Sequence, residues 1–184
     1  MYEVELKAWV DDSERVRARL QGHCSFRREY EKRDRYFKAP AAAADPAWVP
    51  RQFRLRRDAD SLVCTYKEKT VADGVEVNLE REFDVSDEEA FVGLIERLGC
   101  TPLVDKHKRG RQYEYHGLTV ELSEVAGLGT FLEIERLVPD DADEAARDAA
   151  AAEVRAALES FGVSAGAIEE RPYTRMLLDG VGGP

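Results

Sequence analysis

Charged residues spaced two apart, with apolar residues between them, recur along this chain. Glu3, Glu5 and Lys7 alternate with Tyr2, Val4 and Leu6, and Arg54 with Arg56, Lys67 with Lys69, Glu80 with Glu82 and Glu133 with Glu135 repeat the spacing. A period of two belongs to the β-strand, whose successive side chains point to opposite faces. Each segment is therefore read as a strand with one ionic and one apolar face. The apolar faces, such as Leu62, Cys64 and Tyr66 or Leu132 and Ile134, need helices to cover them, and the ionic faces must look at one another or at water.

Helical covers are present. Ser86-Asp87-Glu88-Glu89 reads as a capping box, after which Phe91, Leu94, Ile95 and Leu98 continue at helical spacing to Gly99. Asp11-Asp12-Ser13-Glu14 opens a shorter helix with Val16 and Leu20, ending near Gly22. An alanine-rich run from Asp140 to Phe161 carries Val154 and Leu158 before Gly162, and a short helix is predicted near 173–179. Strands are predicted at 1–7, 31–37, 51–57, 61–69, 75–85, 104–115, 118–124 and 130–138, with turns at Asp58-Ala59-Asp60 and Asp73-Gly74. Residues 39–50, interrupted by Pro40, Pro46 and Pro50, read as a surface loop. The order is α+β, and the length suits one domain over 1–184.

Composition removes whole classes of function. No stretch approaches the roughly 18 apolar residues of a membrane span, and no basic segment followed by an apolar one marks a signal peptide. Cys24, Cys64 and Cys100 follow no metal spacing and read as buried or half-buried thiols in a reducing cytoplasm. A net charge of −10 argues against broad binding to nucleic acid or an anionic membrane. His23, His107 and His116 stand in no nucleophile context, and Gly127-Leu128-Gly129 lies between two strands, a turn rather than a phosphate-cradling loop.

An inside-out barrel, polar within, satisfies both faces of the strands. It brings Glu3, Glu5, Glu80, Glu82, Glu133 and Glu135 near Lys7, Arg54, Arg56, Lys67 and Lys69. Clustered carboxylates repel unless cations sit between them. Oxygen-rich clusters suit Mg²⁺ or Mn²⁺ and Lys and Arg suit phosphate oxygens, so a metal-complexed polyphosphate answers both. A solvent-facing sheet laced with cross-strand ion pairs, each worth roughly 0.2–1 kcal/mol, is the other arrangement the pattern allows.

Glu3-x-Glu5-x-Lys7 resembles the ExExK signature of the CYTH superfamily, the triphosphate tunnel metalloenzymes, which include class IV adenylate cyclases, thiamine triphosphatases and inorganic tripolyphosphatases. Asp34-Arg35-Tyr36-Phe37, Arg54-x-Arg56, Thr65-Tyr66-Lys67, Glu80-x-Glu82, Lys106-x-Lys108 and Gly127 to Glu135 follow in that family's order, and Pro172-Tyr173 with Met176-Leu177-Leu178 resembles its C-terminal helix. The resemblance implies a closed or nearly closed eight-stranded antiparallel β-barrel, a tunnel with polar interior and helices packed outside. It implies Glu3, Glu5, Glu133 and Glu135 as metal ligands, assisted by Glu80 and Glu82, for Mg²⁺ or Mn²⁺. Lys7, Arg54, Arg56, Lys67, Lys106 and Lys108 would clasp phosphate oxygens, with Lys7, Glu5 and Glu135 at the reaction itself. The favoured activity is that of an adenylate cyclase, ATP to cyclic AMP and pyrophosphate. The alternatives are a triphosphatase acting on tripolyphosphate, thiamine triphosphate or a nucleotide, and a non-catalytic polyphosphate-binding module; a homodimer is left open.

Some positions depart from the family pattern, among them Asn78, two before Glu80, where many relatives carry Arg. Ser123 stands where relatives often carry Asp, and Glu121 on the same face is the stand-in. In Lys106-His107-Lys108-Arg109-Gly110-Arg111, alternation turns Lys106 and Lys108 inward, with Arg111 admitted if Gly110 forms a bulge. Trp48 in the 39–50 loop is either a stacking surface for adenine or a loop anchor.

Overall fold

The computed structural model describes residues 2–40, 52–72, 75–139 and 141–180, and at 67–72 and 76–80 the backbone alone. Eight strands, β1 (Tyr2–Trp9), β2 (Ser25–Lys38), β3 (Gln52–Asp58), β4 (Ser61–Ala72), β5 (Val75–Asp84), β6 (Thr101–Tyr115), β7 (Leu118–Val125) and β8 (Gly129–Val138), form one antiparallel sheet. Among the described residues four α-helices accompany them: α1 (Ser13–His23), α2 (Glu88–Arg97), α3 (Glu144–Ser160) and α4 (Tyr173–Asp179). The hydrogen-bonded order is β1-β5-β4-β3-β2-β6-β7-β8, and β8 returns to β1. β1 pairs with β8 from Tyr2 opposite Val138 to Trp9 opposite Phe131, but with β5 only from Tyr2 opposite Leu79 to Glu5 opposite Glu76. The sheet is thus curled into a barrel-like ring whose seam, β1 against β5, is its shortest pairing.

The apolar core lies outside this ring. Val4, Leu6 and Ala8 of β1, Val120 and Leu122 of β7 and Leu132 and Ile134 of β8 pack against Val16 and Leu20 of α1 and Val154 and Leu158 of α3. A second cluster joins Phe37, Leu55, Leu62 and Cys64 to Ile95 of α2, and a third joins Val125, Leu128 and Phe131 to Tyr173 and Met176 of α4. At about 1.5–3 kcal/mol for each fully buried large aliphatic or Phe side chain, these three seams hold the strands in place. The opposite faces of the same strands are left to line an interior.

Several elements differ from the sequence expectations. The cap of α2 is Asp87, whose carboxylate accepts from the Ala90 N–H at 2.9 Å, in place of Ser86. Only Ile95 of its apolar set is buried, with Leu94 and Leu98 at 55% and 64% exposure, because the helix meets the sheet along a narrow line. β2 reaches back to Ser25, since its pairing with β6 keeps 25–30 extended even though Phe26 stays exposed against the edge of Tyr113. Gly110 is not a bulge: the β6–β7 register runs unbroken through Gly110 opposite Ser123. It is a point of close approach, where an added Cβ would lie 2.4 Å from the Leu122 carbonyl oxygen and 2.7 Å from Ser123 Cα. No helix among the described residues is long and apolar enough to cross a membrane. Trp48 with residues 41–50, and the Asp73-Gly74 turn, lie outside the described residues.

Candidate active site

Every strand contributes to a cavity of about 350 Å³ inside the ring. β1 supplies Glu3, Glu5 and Lys7, β2 Lys32 and Tyr36, β3 Arg54 and Arg56, β4 Thr65, β5 Glu82, β6 Lys106 and Lys108, β7 Thr119 and Glu121, and β8 Glu133 and Glu135. Pro172, Tyr173 and Thr174, at the start of α4, add a wall that no strand provides. Alternation along the strands accounts for most of this lining, residues two or four positions apart facing inward; β3 departs from it, since Gln52, Phe53 and Arg54 all reach the cavity.

The charges are interleaved. Glu121 accepts hydrogen bonds from the Tyr30 hydroxyl at 2.8 Å, Lys32 Nζ at 2.7 Å and Lys108 Nζ at 2.7 Å, and Lys108 also donates to Glu133. Burial alone would push the Glu121 carboxyl up; Lys108 and Lys32 overcome it and hold the group far below the usual carboxylate range. Burial likewise opposes the charge on Lys108, and Glu121 and Glu133 reverse the balance and keep it firmly protonated. For Lys32 burial wins, so its ammonium is held below the ordinary lysine value despite Glu121.

A second cluster centres on Asp34, whose side chain is fully buried. Arg56 grips it with Nε at 2.7 Å and Nη2 at 2.9 Å, and Lys106 Nζ stands 3.0 Å away. Burial raises the Asp34 pKa, but Lys106 and Arg56 outweigh it and drive the group far below its ordinary value. Tyr36 next to it is pulled below the usual phenol value, since Lys106 and Arg54 outweigh burial. On the third side Arg54 Nη2 donates to Thr65 Oγ1 at 3.1 Å, and Thr65 donates to Glu82 at 2.7 Å. Arg54 Nε is buried with no hydrogen-bond partner among the described residues.

The structure brings Glu3, Glu5, Lys7, Arg54, Arg56, Glu82, Lys106, Lys108, Glu133 and Glu135 to one cavity. The side chains of Lys67 and Glu80 lie outside the described residues. Arg111 does not enter: with no bulge at Gly110 it stays on the outer face and pairs with Glu29 at 2.8 Å, as Arg109 pairs with Glu124 at 2.7 Å. Glu82 is set with Arg54 and Thr65 rather than with the carboxylates of β1 and β8. Sequence reasoning missed Lys32 and Tyr173 and gave Asp34 no role; Lys32 shares the β2 face of Asp34 and Tyr36, so parity alone would have found it. Glu121, the proposed stand-in for an acid at Ser123, is buried in the site, while the Ser123 hydroxyl is buried without a partner among the described residues.

The donor set fits a hard divalent cation. Glu3, Glu5, Glu133 and Glu135 offer oxygen alone, on two paired strands with Glu5 opposite Glu135 and Lys7 opposite Glu133. Among the described residues no three acidic, histidine or cysteine side chains are drawn together as a finished cage, and Glu133 is engaged by Lys108.

Comparison with known proteins follows the same lines. The pattern of the CYTH domain matches residues 1–173. A Methanocaldococcus jannaschii protein named "Putative adenylate cyclase" is 25% identical over 142 residues, 76% of this chain and 79% of its own. A solved structure from Pyrococcus horikoshii superposes with TM-score 0.81 at 27% identity, covering 96% of this chain and 98% of that one. A Hippeastrum protein, at 15% identity and TM-score 0.66, covers 100% of this chain and 97% of its own and shares the fold.

Proposed function

This chain belongs to the CYTH family, whose members are adenylate cyclases or triphosphatases that use divalent metal ions, and from that premise we propose that its ring of strands is a tunnel in which a triphosphate is bound and cut. One observation carries the reading. Cations from four strands, Lys7, Lys32, Arg54, Arg56, Lys106 and Lys108, share one cavity with the carboxylates of β1, β7 and β8.

Lys7, Arg54, Arg56, Lys106 and Lys108, with Lys67, bind the phosphate oxygens. Arg54 brings to this an Nε donor that has no partner among the described residues. Arg56 and Lys106 are held in place by Asp34, which fixes both cations before substrate arrives and lowers the ordering cost of binding. Glu3, Glu5, Glu133 and Glu135 would hold Mg²⁺ or Mn²⁺, while Glu82 stays with Arg54 and Thr65. A bound divalent cation supplies neutralisation of the charge that grows on the phosphate oxygens as the bond breaks. Lys7, whose strand neighbours are Glu5 and, across β8, Glu133, adds a fixed positive charge at the same place.

The reaction divides into two. Cyclisation of ATP is favoured by the name of the M. jannaschii relative. It needs the ribose 3′-hydroxyl brought in line with the α-phosphorus, with pyrophosphate leaving. Hydrolysis of a triphosphate is favoured by a lining that is ionic along β1, β6 and β8 and asks nothing of a base. Purified protein given ATP, tripolyphosphate or thiamine triphosphate with Mg²⁺ or Mn²⁺ separates them: cyclic AMP with pyrophosphate supports cyclisation, orthophosphate alone ends it, and no product from any of the three rejects triphosphate chemistry. The three free thiols fit a cytoplasmic site of action.

A further inference from the structure

The hydroxyl of Tyr173 is buried and makes no hydrogen bond among the described residues, although the residue lines the cavity. A buried phenol ordinarily finds a partner, because leaving its O–H unsatisfied forfeits the hydration it had in the unfolded chain. The ring itself is firmly seated: it lies edge-on to Phe131 at 4.9 Å within the cluster that Met176 completes. Its other side meets two of the cavity's ammonium groups, Lys7 Nζ at 5.4 Å and Lys106 Nζ at 4.9 Å from the ring centroid. Pro172, just before it, follows a segment tied to β1 by the Glu169 N–H donating to the Lys7 carbonyl at 2.9 Å and by Trp9 Nε1 donating to Glu169 at 3.1 Å. The ring is thus rigidly presented with two of the cavity's ammonium groups against it, and its hydroxyl has no partner among the described residues.

We propose that the Tyr173 hydroxyl is a substrate-positioning group that donates its hydrogen bond to a non-bridging oxygen of the phosphoryl group lodged between Lys7 and Lys106. The assignment rests on the triphosphate reading of the cavity and adds to it a residue contributed by the C-terminal helix. Burial, reinforced by Glu133, keeps the phenol protonated well above the usual tyrosine range, so it serves as a donor throughout the working pH range. An O–H aimed at an anionic oxygen in a site screened from water is the stronger, charge-assisted kind of hydrogen bond. Without the anion the same O–H is a liability to the fold. That difference in sign separates a binding role from a structural one.

The test is Tyr173→Phe, which keeps the ring and its contacts and removes the oxygen. Binding of inorganic tripolyphosphate, measured by calorimetry with Mg²⁺ present, is expected to weaken about tenfold or more, while the melting temperature of the free protein stays the same or rises. Unchanged affinity in the variant, against measurable binding by the unsubstituted protein, overturns the assignment. So does a clear fall in melting temperature, which would mean that the hydroxyl has a partner in the fold. If the unsubstituted protein binds no tripolyphosphate, the triphosphate reading fails and this inference falls with it.

Discussion

Replacing Asp34 by Asn tests the ionic interior most directly. Asp34 is fully buried and neutralises two cations, Arg56 through a two-pronged contact and Lys106 at 3.0 Å, whose side chains are 20% and 4% exposed. The amide keeps the volume and one acceptor but carries no charge, so Lys106 is left in the interior without its counter-ion at that position. Breaking a buried pair from one side costs about 3–5 kcal/mol. With a urea slope of about 2 kcal/mol per molar, the unfolding midpoint should fall by about 1.5–2.5 M at pH 7. The pH dependence follows from the depressed pKa of Asp34. A group held below its unfolded value of about 3.9 contributes fully above that value and loses its contribution as pH falls through it toward the folded one. The gap between the two proteins should therefore be widest above about pH 5 and narrow below about pH 4. A gap under about 1 kcal/mol at pH 7, or one that stays constant down to pH 3, would refute the view that this carboxylate holds the interior cations.

Glu5→Gln and Glu135→Gln should each lower turnover by about a hundredfold or more with the circular dichroism spectrum retained, since carboxylate oxygens rather than packing are removed; full activity in both sinks the metal-ligand assignment. Gly110→Ala should destabilise by about 1–3 kcal/mol, because the new methyl meets the Leu122 carbonyl across the sheet, whereas Gly22→Ala, in open space on α1, should stabilise by about 0.5 kcal/mol; thermal melts of the pair that fail to move in opposite directions contradict the close approach at Gly110. Arg171, assisted by Trp9, holds Glu169 at a pKa of about 2, so the tie between β1 and the segment before α4 should persist above about pH 4 and loosen as pH falls toward 2. Trp9 emission in a Trp48→Phe background reads this out, and emission unchanged to pH 2 counts against the tie.

How far the sequence could be read depended on what a period of two can and cannot say. It tells which face a side chain takes, so Glu3, Glu5, Lys7, Lys106, Lys108, Glu133 and Glu135 were legible as members of one interior. It does not tell which residue of another strand stands opposite, so the bond from Lys108 to both Glu121 and Glu133 was not. Asp34 was seen on the Tyr36 face, but its grip on Arg56 and Lys106 depends on β2 lying between β3 and β6, which no local pattern records. Gly110 stays ambiguous in the sequence because a glycine between basic residues signals equally a bulge or a close neighbour, and only the β7 backbone decides. The start of β2 was missed because 25–30 is held by its partner strand and not by an apolar face of its own.

Because β1 presents Leu6 to the helices and Lys7 to the cavity, a slip of one position against β8 would exchange them. It would set an ammonium group among Leu20, Val154 and Leu158 and an isobutyl group among phosphate-binding cations. One mistake would thus be penalised twice, once by oil and once by charge, on opposite sides of a single strand. Such a strand has little freedom to drift, either during folding or over generations of mutation. An insertion or deletion of one residue within Tyr2–Trp9 should be far more damaging than any single substitution there, while a change of two residues would preserve at least the sidedness.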